Sequence, residues 1–375
     1  VSDLAKLIQQ EIATSGPITF AWFMEQALYH PQWGYYTSPG TKIGRTGDFY
    51  TAPTVNPLFG TMLARWLYQM WDAADRPAQW VVAEYGPGTG ILARDIVAAL
   101  RRNHPDLYAT LNYYLIEISD TLKELQQQTL TTGEPGADHK FHWVNRLAEI
   151  SPGYITNGCI LANELVDAFP VHLVRQSGGE LQEMYVSLSN KEGDSVFTFV
   201  PGPLSTPELA EYFNSQNVQL EEGQRAEVNL QAREWLAEVT AHLQRGYLLT
   251  IDYGATSEEL YAPFRHDGTL RCFHKHHLVD NPLTNLGGQD ITAHVNFSTL
   301  ITWGEQLELR KKELVSQPQF LINLGILDIL KEQPDYTQDP EFAKITSAIK
   351  QLVLPGGMGG IFKVLVQEKA VSQGN

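Results

Sequence analysis

The run Val81–Ile96, VVAEYGPGTGILARDI, constrains this chain more than any other stretch. An apolar segment of strand character is followed by Gly86, Gly88 and Gly90 on alternate positions, and then by an amphipathic helical pattern. Glycine tolerates unusual backbone angles and lets a ligand come close to the main chain. A helix N-terminus carries free N–H groups, and ligands of open α/β sheets bind at the carboxyl ends of the strands. A nucleoside-bearing ligand is therefore expected here. The bland alternative is a helix packed closely on a strand.

The rest of the chain supplies the matching alternation. WVVAEY, NYYLIEIS, FHWVN, GCILAN and GYLLTIDYG read as strands, with helical patterns after the first two. Apolar runs alternating with helices predict a parallel sheet covered on both faces. LELRKKELVSQ and GGIFKVLVQEK complete a seven-stranded Rossmann-like α/β sheet. Residues 1–75 read as an N-terminal helical region with a lid loop, the helices capped by Ser2, Thr19 and Asn56. Residues 171–245 interrupt the alternation with hairpin strands and two helices, an α+β insertion. The Rossmann-like domain is thus predicted over 76–170 and 246–375.

The turn itself narrows the ligand. The dinucleotide fingerprint is G-x-G-x-x-G, but here the third glycine comes one residue early, at Gly90. Glu84, two residues before Gly86, is a poor neighbour for a pyrophosphate and a good one for an amine and a sulfonium. Glu117, ending the second strand, can accept from a ribose diol. These residues favour S-adenosylmethionine over a dinucleotide. Asn145, at the end of the third strand, can reach an adenine or form a surface turn.

E-x-G-x-G-x-G followed by an acid after the next strand resembles class I S-adenosylmethionine-dependent methyltransferases. GPITFAWFMEQALYHPQWGYY, GDFYTAPTVNPLFG, EYGPGTG, ANELVDAFPV, TIDYG, GTLRCFHKH, QDITAHVNFSTL and MGGIFKVLVQ, in that order, resemble one family more closely, the MidA-like methyltransferases. The likeness runs from about residue 15 to about residue 367. It implies S-adenosylmethionine as cofactor and methylation of an arginine on a partner protein, by analogy with mitochondrial members a subunit of respiratory complex I. The chain departs from the family pattern at Thr54, where a Glu is usual.

A guanidinium stays protonated in proteins, so its methylation needs carboxylates to align the planar fork and an acceptor for the released proton. ANELVDAFP offers them where the fourth strand ends. Glu164 is the candidate clamp, Asp167 a second carboxylate, and Asn163 a contact to the methyl-donor end. Alternatively, Asn163 or Asp167 caps the turn. GDFYTAPT, with Asp48, Tyr50 and Thr51, can close over the methionine part of the cofactor or merely pack on the sheet edge. His294 is a candidate proton acceptor because an imidazole titrates near neutrality. Asp290 can orient it, and Asp252 ends a strand on the same sheet edge. CFHKHH, with Cys272, His274, His276 and His277, fits no zinc spacing and reads as a loop near the substrate mouth.

A net charge of −16 disfavours nucleic acid and suits a basic protein partner. Two cysteines make no disulfide framework, which suggests a reducing, cytoplasmic setting. No apolar run reaches the roughly 18 residues of a membrane span. The chain does not open on Met, which leaves room for a removed leader. Three other readings stay open: a nucleotide-dependent oxidoreductase, a cofactor-binding assembly protein without catalysis, and a small-molecule methyltransferase.

Overall fold

The computed structural model describes residues 2–38, 56–133, 136, 138–189, 196–274, 277–331, 340–354 and 360–370. The chain divides into two compact units. One comprises Tyr50–Leu165, Leu236–Tyr253 and Trp303–Asn375; the other comprises Val1–Phe49, Val166–Trp235 and Gly254–Thr302.

The first of these is built on a sheet whose strands are β1 (Trp80–Tyr85), β2 (Leu111–Ile116), β3 (Phe141–Val144), β4 (Gly158–Asn163), β5 (Gly246–Ala255), β6 (Arg310–Ser316) and β7 (Phe362–Lys369). Their spatial order is β3-β2-β1-β4-β5-β7-β6. β3, β2, β1, β4 and β5 run parallel, and β7 is antiparallel to both its neighbours. The two-residue strand Val295–Asn296 also pairs with Gly254 and Ala255 at the end of β5, so among the described residues the sheet has eight strands rather than the expected seven.

The sheet's apolar strands are covered by helices, as continuous hydrophobic runs require. Trp80, Val82, Leu115, Leu161, Leu249 and Ile251 are buried with Phe59, Leu63 and Leu67 of the helix Leu58–Ala73 and with Ile96 and Leu100 of Ile91–Asn103. The start of Leu58–Ala73 differs from the expected cap by one position. Pro57 already has helical angles, while Asn56 Oδ1 accepts from the Leu58 N–H at 2.9 Å. The chain order reverses between β1 and β4, so the ends of those two neighbouring strands flank the crevice where such sheets bind ligands.

The other unit contains the helices Asp3–Ser15 and Phe20–Tyr29, with Ser2 and Thr19 capping as the sequence predicts. Its five-stranded antiparallel sheet includes His172–Ser177, Glu180–Leu188 and Phe197–Gly202. Two of its strands were not legible from pattern. Ile18–Thr19 is too short, and Arg225–Val228 alternates charged and apolar residues over only four positions. The His-rich run is a second correction. Its described residues are not a loop: Arg271–His274 and His277–Val279 are antiparallel strands of a three-stranded sheet with Asp290–Thr292. Cys272 is buried in this unit's core with Phe20, Phe23 and Ile291, which explains the strand without any chemistry for the thiol.

Candidate active site

Glu84 is the penultimate residue of β1, and the turn that follows Tyr85 takes a path few residues other than glycine could follow. Gly86, Gly88 and Gly90 have φ of 58°, 54° and 79°. Gly90 is the N-cap of Ile91–Asn103, so the unpaired N–H groups of that helix's first turn open beside the loop. A Cβ at Gly90 would also come within 3.4 Å of Gln126.

Two carboxylates bracket the turn. Glu84 is buried and accepts a 2.7 Å hydrogen bond from the Tyr113 hydroxyl on β2. Burial raises its pKa from 4.5 to about 7, against the opposing effect of that bond. Glu117 directly follows β2 and is also buried. It accepts from the Ser119 N–H at 2.8 Å and from Gln126 Nε2 at 3.1 Å. Desolvation pushes its pKa up, and the donors at Ser119 and Gln126 hold it back.

At the end of β4, Asn163 Oδ1 is buried without a hydrogen-bond partner among the described residues. A buried amide oxygen left without a donor costs about 1–3 kcal/mol, and a ligand cation or N–H would remove that cost. Glu164 follows with φ 52°, a left-handed conformation uncommon for a residue with a side chain. Its N–H donates to Ile251 O at 2.9 Å. Asp252, fully buried on β5, accepts from the Leu165 N–H at 3.2 Å and the Tyr253 N–H at 2.8 Å. Asp252 therefore holds the bend after β4.

Glu84, Gly86, Gly88, Gly90, Glu117, Asn163 and Glu164 thus lie at or just beyond the carboxyl ends of three adjacent strands in one unit. Asn145 lies beyond β3 and is exposed. Its side chain accepts from Lys123 Nζ at 2.8 Å, while its N–H donates to Glu149. Asp167 and His294 belong to the other unit. Asp167 is buried in the turn Val166–Ala168. His294 is pushed down to about 4 by burial and by the charges of Arg265 and Arg271. Asp290 is buried and accepts from the Tyr36 hydroxyl at 2.8 Å. Asp48, Tyr50, Thr51, Thr54 and His276 lie outside the described residues.

Sequence reasoning passed over three residues here. Gln126 carries no motif, Tyr113 reads as an ordinary strand aromatic, and Ile118 looks like a strand residue. Ile118 is in fact 61% exposed, an apolar side chain beside Glu117. Its only sequence signal is its place immediately after the strand-end acid.

A parallel sheet in this order, with an antiparallel β7, an acid near the end of β1, a glycine turn after it and an acid after β2, defines a class I methyltransferase. The comparisons agree. The model of the S-adenosyl-L-methionine-dependent methyltransferase family matches residues 62–315. Mitochondrial protein arginine methyltransferase NDUFAF7 of Rattus norvegicus is 30% identical over 96% of this chain and 83% of its own. The Homo sapiens protein of that name is 29% identical, over 96% and 82%. A crystal structure from Burkholderia thailandensis, bound to S-adenosyl-homocysteine, superposes with a TM-score of 0.88 at 33% identity, covering 98% of this chain and 92% of that one. The chain belongs to the MidA-like family of S-adenosylmethionine-dependent methyltransferases.

Proposed function

We propose that this protein methylates an arginine on a basic partner protein, by resemblance a subunit of a complex I-type assembly. The observation carrying the proposal is the left-handed Glu164 at the crevice edge, in a chain whose relatives are named protein arginine methyltransferases. A glycine would adopt that left-handed conformation at less cost than a residue with a side chain. A carboxylate that can grip a guanidinium bidentately gives the strain a purpose.

The pocket's donor set suits the cofactor. When bound, S-adenosylmethionine supplies a methyl group on a cationic sulfur. The orphaned Asn163 Oδ1 and the buried Glu84 would offer acceptors to its positive groups, Glu117 would accept from its ribose hydroxyls, and the exposed Ile118 would supply an apolar surface for its base. Burial of Glu84 and Glu117 keeps water from both carboxylates and strengthens their electrostatics. Glu164 aligns the guanidinium for in-line attack, a contribution of position more than of acid–base power.

Among the described residues no helix is long and apolar enough to cross a membrane. The reading places the protein with its partner in an aqueous, reducing compartment, and the net charge of −16 favours a basic partner surface over nucleic acid.

The test is incubation with methyl-labelled S-adenosylmethionine and lysate from the same source lacking this protein. Hydrolysis of the labelled protein band should yield methylarginine. Label in a small molecule, in lysine or nowhere would overturn the proposal. Glu164→Ala should lose the label and keep S-adenosylhomocysteine binding.

A further inference from the structure

We propose that Gln126 is the positioning residue of the donor pocket, locking the glycine turn and the ribose-facing acid into one geometry. The inference rests on the reading of that edge of the sheet as the S-adenosylmethionine site.

Gln126 lies on the helix Asp120–Gly133 and is fully buried. Its amide touches three separate segments. Nε2 donates to Gly88 O at 2.9 Å and to Glu117 Oε2 at 3.1 Å, and Oε1 accepts from Trp143 Nε1 at 2.9 Å. An indole N–H can only donate, so it fixes which end of the amide faces which way. With Oε1 turned to Trp143, both amide protons point to the pocket side, one toward the turn after β1 and one toward the acid after β2.

Each bond has a consequence for a ligand. The first draws the Gly88 carbonyl into the protein and away from the ligand side of the turn. The second engages one Glu117 oxygen from behind, and the Ser119 N–H engages the other. The carboxylate is thereby held in a single rotamer with lone pairs left for two hydroxyls. Gly90, at φ 79°, brings the turn against the Gln126 stem, where an added Cβ would lie 3.4 Å away. An apolar residue of the same size could fill the space but could not fix these angles. A glutamate would set its charge against both Glu117 and the Gly88 carbonyl.

The experiment measures calorimetric affinity for S-adenosylhomocysteine and for its analogue lacking both ribose hydroxyls, on wild type, Gln126→Met and Trp143→Phe. Gln126→Met should weaken S-adenosylhomocysteine about tenfold or more, as loss of a bond to a buried charged group does. The turnover at saturating donor should change far less, so the defect falls on KM. At least half of that loss should vanish with the ribose-stripped analogue, because a residue acting through Glu117 couples to the diol. Trp143→Phe, which removes one donor and leaves the pocket's own groups intact, should show a smaller loss with the same dependence on the diol. It decides the matter if Gln126→Met does not fold. Folded variants that bind within twofold of wild type overturn the role of Gln126 alone, as does a loss identical for both ligands. A wild type that binds neither ligand overturns the pocket itself.

Discussion

The Tyr113 hydroxyl on β2 donates a 2.7 Å hydrogen bond to Glu84 at the end of β1. It is the bond that opposes the desolvation of this buried carboxylate, whose pKa is raised to about 7. Glu84 is therefore poised between charge states at physiological pH, and a bound cation would favour the ionised form. Affinity for S-adenosylmethionine should rise with pH through about 7 and level off above it, with a proton released on binding below that point. Calorimetry in buffers of different ionisation enthalpy measures both. A flat affinity from pH 6 to 8.5 would remove Glu84 from cofactor binding. Tyr113→Phe should move the inflection upward by about one pH unit, the worth of a hydrogen bond to a charge.

The same shift affects stability. An unfolded glutamate titrates near 4.5, so between pH 4.5 and about 7 the folded protein holds a proton that the unfolded chain has lost. This contribution is complete below pH 4.5 and is lost as pH rises through 7, at most about 3 kcal/mol. Glu84→Gln should be more stable than wild type at pH 8 and should lose cofactor affinity. Thermal melts at pH 5 and pH 8 give the comparison, and an equal Tm for the two proteins at pH 8 would contradict it.

His294 has the opposite sign. Its folded pKa is depressed to about 4 from 6.5, so its contribution is present above pH 6.5 and is lost as pH falls through 4. His294→Asn should flatten the acid-side loss of stability. The wild-type pH–rate profile should show no step near pH 6.5 that disappears in this variant; if such a step is found, His294 titrates in the catalytic range after all.

Glu164 at φ 52° stores backbone strain of about 1 kcal/mol. Glu164→Gly should relieve it and raise Tm by roughly 2–4 °C, the shift expected for a domain of this size. Methyl transfer should fall at least a hundredfold while S-adenosylhomocysteine still binds. A Gly variant that keeps its activity would show that the carboxylate does not engage the substrate.

Cofactor choice can be read without a substrate. S-adenosylhomocysteine should raise Tm in a concentration-dependent way, and NAD should leave it unchanged. Glu117→Gln should weaken the S-adenosylhomocysteine effect about tenfold or more, since a neutral amide presents only one acceptor to a diol. Protection by NAD would restore the oxidoreductase reading.

The sequence by itself determined the periodic features. Apolar strands, amphipathic helices, the caps Ser2 and Thr19 and the turn Gly86–Gly90 are local, because each depends on residues a few positions apart. The acids at strand ends were legible for the same reason, since a β-strand followed by a turn exposes its last positions. Only the tertiary structure decided what those groups experience. Whether Glu84 is solvated or desolvated, whether His294 is a base, whether Asn163 Oδ1 has a partner, and that Gln126 reaches Gly88, Glu117 and Trp143 all depend on segments far apart in the chain. Burial and long-range hydrogen bonding leave no periodic trace in a sequence, so the site's chemistry could be located there but not tuned.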